Sequence, residues 1–374
     1  MSIIFSDNLS LDVQNQLAQN LQNFQHPTLE KDLLSLNAVK KITKFNDELH
    51  IELKMPFPWE LGLIALESEL DDVFKQLTDT HAIHWHLKAQ VATMKRANRM
   101  PAVKGVKNII AVTSGKGGVG KSTVAVNLAL GLQALGAKVG LLDADIYGPS
   151  IPLMLGKQDE RPTSPDNKHM TPISAYGVLT NSVGYLVPAD SATVWRGPVA
   201  SGALAQMLNE TLWAENGREL DYLVIDMPPG TGDIQLTLSQ QIPVTGAIVV
   251  TTPQDVALLD AIKGVHMFQK VSIPVLGIVE NMSVHICSNC GHHESIFGTG
   301  GAEKMAEKYQ LNILAKLPLH IQLREDMDKG TPSVVSHPEG EIAQGFLELA
   351  QRTAAELYWQ GSVIPDEILF TEIK

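Results

Sequence analysis

The sequence predicts an α/β protein: a mostly parallel sheet covered by helices on both faces, preceded by a small α+β domain. Three observations predict it. Continuous apolar runs, too short for helices, recur from residue 108 onward with helical stretches between them, the pattern of parallel strands buried on both faces. Several of these runs end in an acid or a glycine-rich turn. Before residue 95 the pattern differs, with alternating rather than continuous apolar residues.

The first unit spans 1–95. Leu9, Leu11, Val13, Leu17, Leu21 and Phe24 share roughly one helical face. A strand is expected near Val39–Phe45, then a turn at Asn46-Asp47, then a half-buried strand on Leu49, Ile51, Leu53 and Met55. Trp59 to Leu77 reads as a helix and His81–Leu87 as a third strand, giving the order α-β-β-α-β. Residues 96–107 form a basic linker, part of a run 94–107 with Lys95, Arg96, Arg99, Lys104 and Lys107 and no acid, for which a solvated course is expected.

The second domain spans 108–374. Ile109–Thr113 is a buried strand and Ser122–Leu135 a helix; Lys138–Leu142 and Tyr222–Ile225 are strands followed by acids; Ala247–Thr251 and Val275–Val279 are further strands. Residues 156–192, rich in Pro, Ser, Thr and Asn, are expected to include a long loop. No internal repeat has a fixed period.

Composition narrows the function classes. In 374 residues, 29 Lys+Arg stand against 41 Asp+Glu, a formal net charge of −12, which as a whole repels nucleic acid and anionic lipid. No run of about 18 apolar residues is present, and the start lacks a basic, then apolar, leader. The expectation is a soluble cytoplasmic protein with no nucleic-acid or membrane partner. The only cysteines are Cys287 and Cys290, so a disulfide-stapled scaffold is excluded.

Between the first strand and helix of the second domain lies Gly115-Lys116-Gly117-Gly118-Val119-Gly120-Lys121-Ser122, followed by Thr123. This is the P-loop pattern, in which glycines let backbone N–H groups close around phosphates at a helix N-terminus. Lys121 is assigned to the β- and γ-phosphates and the Ser122 hydroxyl to Mg²⁺. Asp143, Asp145 and Asp226 end or follow strands, where an acid faces the ligand crevice. Asp145 and Asp226 are the candidates for holding Mg²⁺ or orienting water; Asp143 also suits a cap or turn.

The cysteines leave several chemistries open. Cys-X-X-Cys places two thiolates within reach of one metal centre. They fit a redox dithiol, half a zinc site completed by His285, His292 or His293, or half of a Cys₄ set shared by two copies of the chain. A Cys₄ set holds either zinc or an iron–sulfur cluster.

Gly115–Ser122, with its second lysine Lys116, resembles the deviant Walker A motif of the MinD/ParA/nitrogenase-iron-protein class of P-loop ATPases. The resemblance sharpens with Glu280-Asn-Met-Ser283, Cys287-X-X-Cys290-Gly-His and Ile296-Phe-Gly-Thr-Gly-Gly301. Asp143-Ala-Asp-Ile-Tyr-Gly-Pro-Ser150, Asp226-Met-Pro-Pro-Gly-Thr-Gly-Asp233, Trp195-Arg-Gly-Pro198 and Asp326-Met-Asp-Lys-Gly-Thr-Pro332 extend it. Over about 105–340 the chain resembles the Mrp/ApbC iron–sulfur cluster carrier proteins. That resemblance implies an ATP hydrolase and a homodimer in which Lys116 reaches the partner's nucleotide. It implies Asn281 and Pro318 near the adenine. It also implies a [4Fe–4S] cluster bridging two subunits through Cys287 and Cys290, loaded from an assembly scaffold and passed to apo-proteins. The alternative is a MinD/ParA-like positioning ATPase on membrane or DNA.

Two departures stand out. Ser288 occupies a position that is usually proline in the family. The first unit resembles the small domain found ahead of the ATPase in many bacterial members, but its Met55-Pro-Phe-Pro-Trp59 segment has no cysteine. A docking or regulatory role is expected for it.

Overall fold

Apolar residues at every second position of 49–55 need one covered face, and helices supply it. The computed structural model describes residues 3–98, 100–186, 197–214 and 217–365; for 197, 198, 233 and 234 it describes the backbone alone. The first unit runs β1 (Ile4–Phe5), α1 (Leu11–Asn23), β2 (Val39–Phe45), β3 (Glu48–Met55), α2 (Glu60–Thr78) and β4 (Ala82–Ala89). Its sheet has the order β1-β2-β3-β4. The expected α-β-β-α-β order is preceded by β1, whose two residues are too few to show a period. Ser10 caps α1, its Oγ accepting from the Val13 amide at 3.3 Å. Asn46 and Asp47 have φ of 49° and 58°, the paired left-handed residues of a type I′ hairpin turn. Leu49, Ile51, Leu53 and Met55 are buried with Leu17, Leu21, Leu66 and Phe74. Glu48, His50, Glu52 and Lys54 take the opposite face.

The second unit runs β5 (Val106–Ser114), α3 (Lys121–Ala134), β6 (Val139–Asp143), α4 (Ile151–Met154), β7 (Ile173–Ala175), β8 (Val178–Ser182) and α5 (Val183–Leu186). It continues through α6 (Gly197–Glu210), β9 (Leu220–Asp226), α7 (Asp233–Gln241), β10 (Gly246–Thr251), α8 (Asp255–Lys270) and β11 (Val275–Glu280). Then come β12 (His285–Ile286), β13 (His293–Glu294), α9 (Gly301–Tyr309), β14 (Ile313–Lys316), α10 (Ile321–Asp328), α11 (Ser333–Ser336) and α12 (Glu341–Gln360). Eight strands form one sheet, β14-β11-β10-β5-β9-β6-β8-β7. Neighbours are parallel except β7 against β8. Both faces are covered: Ile110 and Val112 of β5 enter one apolar cluster, while Ile109 and Ala111 enter the other. The loop expected within 156–192 gives way at Ile173 to the β7–β8 hairpin, whose turn places Tyr176 and Gly177 at φ 50° and 83°. Trp195 and Arg196 lie outside the described residues.

The run 94–107 is not a solvated linker. Met94 and Val103 are 2% and 4% exposed. The Asn108 side chain accepts from the Met94 amide at 2.9 Å and donates to the Ala92 carbonyl at 2.9 Å and the Asp221 carbonyl at 3.1 Å. The Lys95 amide donates to the Ser362 carbonyl at 2.7 Å, and the Ala97 amide to the Val244 carbonyl at 3.1 Å. Lys95 and Lys104 are exposed, Lys107 pairs with Asp221 at 2.7 Å, and the backbone and apolar residues of the run bind the second unit; Arg99 lies outside the described residues.

The two units share one apolar cluster. Phe57 meets the rings of Tyr358 and Trp359. The Trp359 Nε1 donates to the Thr28 carbonyl at 2.9 Å, and the Leu61 amide to Gln351 Oε1 at 2.9 Å. Helix α12 thus packs on α3 of the second unit and on the first unit.

Candidate nucleotide and thiol sites

β5 is central in the sheet, and its last residue, Ser114, leads into the glycine loop that opens α3. Gly118 and Gly120 have φ of 84° and 80°, a conformation that disfavours any side chain. A Cβ on Gly117 or Gly118 would meet nothing within 4 Å, so the loop faces open space. A Cβ on Gly115 would strike the Asp260 backbone at 2.1 Å, so this glycine lets α8 approach. Helix α3 has no side-chain cap and no acid in its first turn. Its first N–H groups are therefore free to bind an anion. Ser122 and Thr123 are half-buried at this end, and Val119 is buried.

Lys121 is 6% exposed. Its Nζ lies 2.5 Å from Asp226 Oδ1, 3.8 Å from Asp145 Oδ2 and 3.2 Å from Ser122 Oγ. The four expected phosphate and magnesium groups are thus together. Asp226 is fully buried, and its Oδ2 has no hydrogen-bond partner among the described residues. A hydroxyl and two carboxylates, one with a spare buried oxygen, form a hard donor set that fits Mg²⁺. Burial pushes the Asp145 carboxyl up, with Lys121 opposing and Asp226 adding to the rise.

Asp143 lies beside Asp226 in the β6–β9 register. Its carboxylate accepts from the amides of Asp145 (3.1 Å), Ser150 (3.2 Å) and Ile151 (3.3 Å) and from Ser182 Oγ (3.0 Å). It therefore organises the turn after β6. Burial, then the charge of Asp226, raises it to about 7 against those donors and Lys121.

Lys116 is half-buried at the loop, where its carbonyl accepts from Ser114 Oγ at 2.8 Å. Its ammonium has no ion-pair or hydrogen-bond partner among the described residues. Gln235 was not foreseen: it is 2% exposed, bonds Thr113 Oγ1 through Nε2, and leaves Oε1 buried without a partner among the described residues. Only its chain position, two residues after Asp233, hinted at it.

The thiols sit on a hairpin made by β12 and β13. The Cys287 amide donates to the His292 carbonyl at 2.9 Å, and the Gly291 amide to the Cys287 carbonyl at 2.8 Å. Gly291, at φ 69°, turns the chain. Cys287 is half-buried and Cys290 exposed; backbone N–H groups of Asn289 and Cys290 directed at the Cys287 sulfur lower its pKa. Among the described residues, no His, Asp or Glu completes a three-ligand group with the cysteines. The half-zinc arrangement with His285, His292 or His293 is thus not formed within one chain.

The hairpin is tied to the nucleotide loop. Asn281, 3% exposed, donates from Nδ2 to the Val119 carbonyl at 2.9 Å. Asn281, expected at the adenine, also binds the loop. The Ser283 amide donates to the Leu317 carbonyl at 2.9 Å, and the Leu319 amide to the Val284 carbonyl at 2.8 Å. At the far end, buried Glu280 accepts from the Ala302 amide at 3.2 Å, so the segment is anchored on both sides. Among the described residues no helix is long and apolar enough to cross a membrane.

Residues 105–354 match the family of ParA NUBPL iron-transfer P-loop NTPases. The chain is 67% identical over 374 residues to an iron-sulfur cluster carrier protein of Haemophilus influenzae, covering 100% of both chains. It is 48% identical over 257 residues to the iron-sulfur cluster transfer protein NUBPL of Dictyostelium discoideum, covering 68% of this chain and 78% of that one. Among solved structures, a nucleotide-binding protein in complex with ADP from Archaeoglobus fulgidus superposes with a TM-score of 0.56 at 36% identity. That match covers 65% of this chain and 93% of the other. Glycine loop, strand-end acids and paired thiols thus occur together in a chain that belongs to the NUBPL iron-transfer family of P-loop NTPases, the family of the iron–sulfur cluster carrier proteins.

Proposed function

We propose that the chain carries an iron–sulfur cluster to apo-proteins, and that ATP binding and hydrolysis act on a homodimer that holds the cluster. The observation that carries this reading is the Cys287–Cys290 hairpin: one half-buried and one exposed thiol, rooted on the nucleotide loop, with no third ligand among the described residues of their own chain. Two copies about a two-fold axis supply four thiolates, the ligand set of a [4Fe–4S] cluster. The cluster is cargo, loaded from an assembly scaffold. An exposed ligand pair suits its release, because client thiolates can replace the carrier's one at a time.

ATP phosphates sit against the backbone of Gly115, Lys116, Gly117, Gly118, Val119 and Gly120, with Thr123 and the start of α3 completing the cradle. Lys121 turns from Asp226 to the phosphates. Ser122, Asp145 and Asp226 would hold Mg²⁺, which would supply positive charge against the β- and γ-phosphates. Asp145 and Asp226 also orient the attacking water. Its oxygen bonds to the γ-phosphorus as the bond to the β-phosphate bridging oxygen breaks, giving ADP and phosphate. Lys116, unpaired in one chain, extends to the partner's nucleotide and stabilises the charge that develops.

Anaerobic iron and sulfide analysis with an absorption spectrum tests the assignment. The reconstituted chain is expected to hold about two irons and two sulfides, as one four-iron cluster per pair of chains requires. Cys287→Ala with Cys290→Ala is expected to hold neither and still bind ATP. Full cluster content in that double variant defeats the assignment.

A further inference from the structure

The outer face of the first sheet carries a histidine cluster remote in sequence from the nucleotide loop and the thiols. β3 and β4 pair in parallel, with His50 opposite His84 and Glu52 opposite His86. Glu48, His50, His84 and His86 therefore share one face. The register is firmly set, because a slip of one residue would drive Leu49 and Ile51 out of the core and the histidines into it.

Three donor atoms converge. Glu48 Oε2 lies 3.3 Å from His84 Nε2 and 3.7 Å from His50 Nε2. The donor atoms of Glu48, His50 and His84 all lie within 4.8 Å of one another. A tetrahedral ion with nitrogen and oxygen ligands at about 2.0–2.1 Å holds those ligands about 3.4 Å apart. The observed separations therefore suit one shared ion. His84 Nε2 is sealed from solvent and makes no hydrogen bond among the described residues, although the carboxylate is close.

The surroundings are those of a supported ligand set. His50 Nδ1 lies 3.1 Å from His86 Nε2. With His50 donating there, its Nε2 keeps a lone pair for an ion, as outer-shell partners of metal-bound histidines arrange. The His50 ring stacks on both His84 and His86, with centroids 4.8 and 5.5 Å away. His81 Nε2, 3.4 Å from Glu48 Oε1, steadies the other carboxylate oxygen. Protons on the rings would make ordinary ion pairs with Glu48. A metal ion satisfies all three donors at once and uses the orphaned His84 nitrogen.

We propose that Glu48, His50 and His84 bind a divalent first-row transition ion, with His86 as a positioning residue. Two imidazoles and one carboxylate suit Zn²⁺, Fe²⁺, Co²⁺ or Ni²⁺, and match neither the oxygen cages of Mg²⁺ and Ca²⁺ nor the soft sulfur sites of Cu⁺. A fourth position is left for water or an incoming ligand. The site stands apart from cluster carriage and does not depend on it.

The test uses the full chain with Cys287→Ser and Cys290→Ser, stripped with chelator, nucleotide-free, and titrated anaerobically with Co²⁺. One equivalent is expected to give visible d–d absorption without the sulfur-to-cobalt charge-transfer band, and Zn²⁺ to bleach it. His50→Ala or His84→Ala is expected to abolish the band with far-ultraviolet circular dichroism unchanged, since both rings lie off the core. His86→Ala is expected to weaken binding about 10–100-fold, and His337→Ala to leave it intact. Absence of saturable Co²⁺ binding by the folded chain overturns the proposal. So does a band that survives His50→Ala combined with His84→Ala.

Discussion

Three carboxylates and one ammonium meet where β6 and β9 end. Asp143 and Asp226 are fully buried, Asp145 is half-buried, and among the described residues Lys121 alone offsets them. An excess of negative charge in a low-dielectric site favours protonation. Asp143 accordingly rises to about 7 from 3.8. Between those values the folded chain keeps a proton that the unfolded chain has lost. Its contribution therefore makes stability fall as pH rises from about 4 to 7, and level off above. Asp143→Asn is expected to flatten that slope in urea unfolding between pH 5 and 8; an unchanged slope places the proton elsewhere. Lys116 makes a different prediction, because its ammonium has no partner among the described residues of its own chain. Lys116→Ala is expected to lower ATP hydrolysis about 100-fold or more, the scale of one lost transition-state donor. Fluorescent-nucleotide binding by the single chain should change only a few-fold. Unaltered hydrolysis would remove Lys116 from the chemistry.

The connection between the two sites is made by an element, the strand β11 and the hairpin that follows it. Asn281, one residue past β11, bonds the Val119 carbonyl inside the glycine loop. A shift of the loop on nucleotide binding would reach the root of the thiol hairpin through this bond. Asn281→Ala strands a buried carbonyl and is expected to cost about 1–3 kcal/mol in urea unfolding. It should also erase any difference in Cys290 alkylation rate between ATP-bound and free protein. A difference as large as in the wild type shows that another route couples the sites. The same element shows what local sequence carries. The glycine loop and the Cys-X-X-Cys motif were legible because their residues are contiguous in the chain. The Asn281–Val119 bond joins positions 162 residues apart, so local sequence does not show it. The docking of 94–107 was missed for the same reason: its composition favours solvent, while its partners, Asn108 and Ser362, lie elsewhere in the chain. The histidine cluster hid behind strand periodicity. His84 and His86 alternate as any polar face does, and only the β3–β4 pairing across the 19-residue α2 brings Glu48 and His50 to them.

At the scale of the whole molecule, the parallel sheet was readable from its apolar strands, because burial on both faces leaves no polar alternation. The union of the two units was not, since it rests on Trp359, Tyr358 and Phe57 meeting across the chain. Phe57 belongs to the Met55-Pro-Phe-Pro-Trp59 segment, which has no cysteine. That segment buries Phe57 and Trp59 completely, a packing role. The central claim is that one chain holds half a cluster site. Native mass spectrometry of the anaerobically loaded protein tests it most directly. The account predicts one [4Fe–4S] cluster per two chains and no cluster on the monomer; a monomer that retains a complete cluster would contradict it.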